Sequence, residues 1–145
     1  MTGNDFLTLA TRLGSGSTEA EWRTAVSRAY YAAFHGARDL FHGLGFTVPR
    51  ADPAHQYLYH RLNNCGHAQL EQAGRDLNSL RTLRNQADYE LRQHHPQRFA
   101  GTGLQLAQGI VQALALATVE PTRTQVRDAV IAYERTAYGQ TTWTP

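Results

Sequence analysis

Leu80-Arg81-Thr82-Leu83-Arg84-Asn85-Gln86-Ala87-Asp88-Tyr89-Glu90 is the stretch on which the reading of this chain turns. At about 3.6 residues per turn, Leu77, Leu80, Leu83, Ala87 and Leu91 share one face of a helix. Arg81, Asn85, Asp88 and Arg92 share a neighbouring face, with Arg84 on the border between them. Residues three and four apart touch, so Arg84–Asp88, Arg81–Asn85, Asn85–Tyr89 and Asp88–Arg92 are expected to interact. A helix that only buries an apolar face has no need of this polar row. Either the row binds a ligand, or it joins helices through buried polar bonds.

Working outward, Ala68 to Arg92 reads as the whole of this helix, ended by His94-His95-Pro96 because proline disfavours helix at the residue before it. Histidines near a helix C-terminus are expected to complement its dipole. Gly101-Thr102-Gly103 reads as a turn and cap, and not as a phosphate loop, since no strand precedes it. Leu104 to Thr118 is nearly all apolar and reads as the buried central helix of a bundle. Val126, Ala129, Val130, Tyr133 and Ala137 predict a last amphipathic helix after Pro121.

Upstream, Asn4 to Leu13 predicts a short helix, and Gly14-Ser15-Gly16-Ser17 a flexible linker. Thr18 and Glu21 form a capping-box start, from which a long periodic segment runs to about Leu44. Trp22, Val26, Ala29, Tyr30, Ala33, Ala37, Leu40, Phe41 and Leu44 are its core stripe. Ser27, Tyr31, Phe34, His35, Arg38 and His42 give its other side a mixed aromatic and basic character, suited to a subunit interface or a ligand groove. Phe46 to Pro53 is a loop, and Pro53 opens a helix over Ala54 to Asn64. His55 and His60 there have the wrong pitch for two metal ligands on one face, and read as solvated or hydrogen-bonded. The chain thus divides into residues 1–16 (short helix and linker), 17–138 (helical bundle) and 139–145 (a loose tail holding Trp143).

Composition bounds the rest. A chain of 145 residues, 41% hydrophobic and 18% charged, fits one ordinary globular domain. All fourteen basic residues are arginine, which suits planar, bidentate phosphate recognition as well as a GC-rich coding bias. A net charge of +2 is too small to argue nucleic-acid binding unless the charges cluster. The lone Cys65 fits a reducing cytoplasm, and no signal peptide or membrane span is visible. No metal and no cofactor is expected.

Two segments resemble one family. Ser27-Arg28-Ala29-Tyr30-Tyr31-Ala32-Ala33-Phe34-His35-Gly36-Ala37 resembles the first long helix of the small prokaryotic HEPN proteins (higher eukaryotes and prokaryotes nucleotide-binding). Leu80 to Leu91 resembles their later helix, which ends in Arg-x-x-Ala-Asp-Tyr. The resemblance covers roughly Glu21 to Thr118. It implies an all-α, antiparallel four- or five-helix bundle, usually a homodimer, with polar helices of two subunits meeting at a cleft. It implies a nucleotide or RNA ligand bound without metal, and a minimal nucleotidyltransferase partner in a toxin–antitoxin or defence pair.

Many members of that family are ribonucleases, using arginine and then, after about four to six residues, histidine. Arg84 and Asn85 match the opening of that motif, but Tyr89, Glu90 and Leu91 occupy the slots where histidine would stand. A tyrosine is a poor base near neutral pH. Expected ligand-binding residues are therefore Arg84, Asn85, Asp88, Tyr89, Arg81, Arg28, Tyr31 and Arg38. The alternatives are an atypical ribonuclease, with Arg84 and His35 as catalytic candidates, and a non-catalytic interaction module held by a buried Arg84–Asp88 pair.

Overall fold

The computed structural model describes residues 1–145 as six helices: α1 (Gly3–Gly14), α2 (Glu19–Leu44), α3 (Pro53–Leu62), α4 (Ala68–Tyr89), α5 (Gln97–Leu116) and α6 (Thr122–Tyr138). No strand forms; Phe46 and Trp143 make one isolated antiparallel bridge. The chain is an all-α bundle: the short α1 precedes five helices, α2 to α6, within residues 17–138. No helix is long and apolar enough to cross a membrane.

The central helix is α2, not the apolar segment after Leu104. Ala25, Val26, Ala29, Ala33, Ala37 and Phe41 on α2 are wholly buried, and α1, α4 and α5 all pack against it. Small side chains on several faces let three helices approach one axis, which a single apolar stripe does not allow. By contrast α5 buries only Ala100, Gly103, Ala107, Ile110 and Leu114, and leaves Leu116 exposed. It also starts earlier than its leucines suggest. Pro96 precedes its first turn, where a missing N–H costs nothing. Gly101-Thr102-Gly103 is consequently helix interior and not a turn. A side chain at Gly103 would meet Val26 at 3.2 Å, so this glycine sets how closely α5 sits on α2.

Two further expectations change. Gly14 to Ser17 is tied down, with Trp22 Nε1 donating to Gly16 O at 2.9 Å and Gln97 Nε2 to Gly14 O at 3.0 Å. The tail is also anchored. Thr47 N donates to Thr142 O, Thr144 N to Gly45 O, and Trp143 Nε1 to Leu44 O.

That anchoring depends on a buried ion pair. Arg61 Nε meets Glu134 Oε2 at 2.9 Å, and Glu134 has no solvent exposure. Glu134 also accepts from Thr141 Oγ1 and from the Thr142 hydroxyl and amide, at 2.7, 2.7 and 2.9 Å. Burial raises the affinity of this carboxyl for a proton, but the bonds from Thr142, Thr141 and Arg61 outweigh it, and the pKa is lowered.

Candidate functional site

α4 carries the polar row, and α2 and α3 supply its surroundings. Arg84 is 7% exposed, although its helix position borders the solvent side. Its guanidinium lies 5.2 Å from the Tyr30 ring centre and 5.5 Å from that of Tyr31. Its single acidic neighbour is Asp88, one turn on, with Nη1 4.0 Å from Oδ2. That is ion-pair contact without a hydrogen bond. Nε of Arg84 and Nε of Arg81 are both buried with no hydrogen-bond partner, and Arg81 pairs with no carboxylate. Most buried polar groups find partners, so two orphaned guanidinium nitrogens one turn apart are unusual.

Asp88 is shared instead across the helix interface. Ser27 Oγ donates to its Oδ2 at 3.2 Å, and Arg28 Nη2 donates to Ser27 Oγ at 3.3 Å. Arg28 lies 5.2 Å from the Tyr31 ring centre and 5.0 Å from that of Phe6, so Tyr31 is within cation–π range of both Arg28 and Arg84. Two arginines, Arg84 and Arg28, thus converge on Tyr31 and, directly or through Ser27, on Asp88, while Arg81 stands one turn back with no carboxylate.

The remaining expected residues divide. Asn85 and Tyr89 point outward, Tyr89 with 73% exposure, and the Arg81–Asn85, Asn85–Tyr89 and Asp88–Arg92 contacts do not form. Helix α4 stops at Tyr89, which carries Arg92 away from the row. Arg38 is half-buried near His35, and its charge bears on that imidazole. His35 packs among Phe6, Tyr31 and Phe34, not against Arg84. Burial holds its pKa below the usual histidine range. A cleft beside the arginines is expected from the sequence, but none of the larger clefts is lined by Arg28, Arg81 or Arg84, and the roomiest, about 440 Å³, lies on the turn from Tyr89 to Gln93 just past α4. One of about 350 Å³ runs from Gly3 past Asp39 to Arg123, and another of about 310 Å³ lies by Phe6 and His35.

Sequence reasoning missed Tyr30 and His55 as members of this site. The Tyr30 hydroxyl is hydrogen-bonded to His55 Nδ1, and the two rings stack at 5.5 Å. Burial pushes the Tyr30 phenol well up, while Arg81 and Arg84 pull it the other way. Burial, then the charges of Arg81 and Arg84, lower the His55 pKa. The two neutral rings thus share one hydrogen bond. Tyr30 looks like plain core on its helix stripe, and only the return of α3 against α4 brings His55 to it. That return needs Gly74, where a side chain would meet Leu62 Cβ at 2.9 Å.

The C-terminus of α4 is complemented by Arg23 of α2, not by the histidines. Arg23 donates to the carbonyls of Gln86 (3.2 Å), Ala87 (3.0 Å), Glu90 (3.1 Å) and Gln93. Glu19 braces Arg23 at 3.0 Å and receives His94 Nδ1 and the His95 amide at 3.0 and 2.9 Å. This clamp fixes the helical turn that holds Asp88. Comparison of the chain with family models, with curated proteins and with solved structures gives no match.

Proposed function

We propose that this chain is a HEPN-like bundle that binds nucleotide or RNA phosphate through Arg81, Arg84 and Arg28, with Tyr31 beside them as a stacking surface. The observation that carries the reading is the pair of buried guanidinium nitrogens with no partner. A buried cation is costly unless paired, and phosphate oxygens match the guanidinium fork. Thermal melting tests it. Nucleotide or RNA should raise the Tm of the native protein and leave that of a folded Arg84→Ala variant unchanged. Loss of folding in Arg84→Ala and in the milder Arg84→Met would instead favour a purely structural row.

In the same reading the chain works as a homodimer, and as half of a toxin–antitoxin or defence pair with a nucleotidyltransferase. Tyr89 and Leu91, 73% and 74% exposed beside the polar row, support a second copy at this end of α4. Light scattering tests the dimer, and co-purification with the product of a neighbouring gene tests the partner. An atypical ribonuclease using His35 has less behind it, because the rings of Tyr31 and Phe34 surround that imidazole.

A further inference from the structure

Independently of the arginine row, we propose that the cleft between α1, α2, α5 and α6 binds a small zwitterion with an apolar body, the chemistry of a free aliphatic amino acid. The cleft holds about 350 Å³, within the range of small-ligand sites. It exists because α1 begins directly on α2. A side chain at Gly3 would meet Ala32 O at 2.8 Å, so glycine sets that approach. Leu40 of α2, with Val111 and Leu114 of α5, supplies the apolar lining.

Two opposite charges line this same cleft, Asp39 from α2 and Arg123 from the first turn of α6. Neither takes part in any ion pair of the chain. His35, one turn before Asp39, has its pKa lowered by burial and is neutral near pH 7, so it does not offset the Asp39 charge. Arg123 donates through Nη2 to Gly43 O at 2.6 Å, which leaves Nε and Nη1 for a carboxylate. Glu120, the acid nearest to it in sequence, is engaged by the Thr124 amide and hydroxyl at 2.8 and 2.5 Å. An ammonium therefore suits the Asp39 side of the cleft, and a carboxylate the Arg123 side.

Gly43 is a second observation at the same place. It lines the cleft inside α2, where glycine is disfavoured, and its φ is not left-handed. A side chain there would meet nothing within 4 Å. Packing within the chain does not call for glycine at this position, whereas an occupant of the cleft does.

The test is calorimetric titration of the full chain at about pH 7 with leucine, with leucinamide, which lacks the carboxylate, and with N-acetylleucine, which lacks the ammonium. Leucine should bind about two- to fivefold more tightly than either analogue, the range for solvent-exposed ion pairs. Asp39→Asn should weaken leucine and leucinamide by a similar factor and leave N-acetylleucine nearly unchanged. Arg123→Gln should weaken leucine and N-acetylleucine and spare leucinamide. Gly43→Leu, which fills open space and improves helix propensity, should abolish binding of all three without lowering the Tm. Leucine binding no more tightly than its analogues, or binding Gly43→Leu as well as the native protein, overturns the proposal. So does a failure of leucine to bind the folded native protein; if light scattering then shows a dimer that Gly43→Leu dissociates, the occupant is a second copy. None of these outcomes bears on Arg81 and Arg84, which line no part of this cleft.

Discussion

Two arginines of this bundle are equally buried and treated in opposite ways. Arg61, 6% exposed, has Glu134 at 2.9 Å and the faces of Tyr57 and Tyr138 at 3.6 and 5.1 Å. Its carboxylate is in turn satisfied by two threonines. Arg84, 7% exposed, has two tyrosine faces, a carboxylate at 4.0 Å and an orphaned Nε. Since desolvation penalises both charges alike, the difference lies in what answers them. Arg61 is answered within the fold. The interactions around Arg84 leave capacity for a further partner, and this contrast underlies the functional reading.

The largest expected effect comes from breaking the satisfied pair. Glu134→Ala strands the Arg61 charge and removes the acceptor that fixes Thr141 and Thr142, so it should cost about 3–5 kcal/mol in denaturant unfolding. It should also release Trp143, read as a fluorescence change before global unfolding. A loss below about 1 kcal/mol would end the claim that Arg61–Glu134 is the structural pair of the two.

Arg23 is the intermediate case, satisfied by carbonyl oxygens instead of a tight carboxylate pair alone. Arg23→Met removes charge-assisted bonds to the end of α4 and should cost about 1.5–3 kcal/mol. Hydrogen exchange should quicken at Asp88, Tyr89 and Glu90 more than in α6. Uniform exchange across the bundle would mean that Arg23 does not specifically hold this turn. Arg84→Met should cost least, within about 1 kcal/mol, because it removes an unsatisfied buried charge and substitutes apolar volume. A cost approaching that of Glu134→Ala would erase the contrast.

How much of this was legible beforehand follows from what periodicity reports. The ends of α2 and α3 were readable because local chemistry writes them: the Thr18 hydroxyl accepts from Glu21 N, Gly45 takes a left-handed φ, and Pro53 opens α3. Arg81, Arg84 and Asp88 were likewise visible as neighbours, being one turn apart. Periodicity says which residues share a face, and not which faces meet. Arg61 and Glu134 are 73 positions apart, and Tyr30 and His55 are 25 apart. Nothing local marks either pair. The misreading of α5 has a different cause, because Gly101 and Gly103 are both disfavoured in an isolated helix, and only Gly103 is offset by close packing on α2, while Gly101 faces open space.

The smallest expected effect sharpens the comparison from the side of pH. Glu19 braces Arg23, and its carboxyl is lowered from 4.5 to about 2, first by the His95 amide and then by Arg23 and His94. A carboxyl depressed on folding adds stability that is complete above the unfolded value and is lost as pH falls toward the folded one. Between about pH 4.5 and 2, the Tm of the native protein should therefore fall more steeply than that of Glu19→Gln. Glutamine keeps an acceptor for the His95 amide but has no charge to titrate. Because the Glu19 side chain is about one-third exposed, at 32%, the difference should be small and should shrink with added salt, unlike the effect of Glu134→Ala. Parallel pH curves would mean that Arg23 holds α4 through its carbonyl contacts alone, and would place it with the guanidinium groups that Asp88 leaves only partly answered.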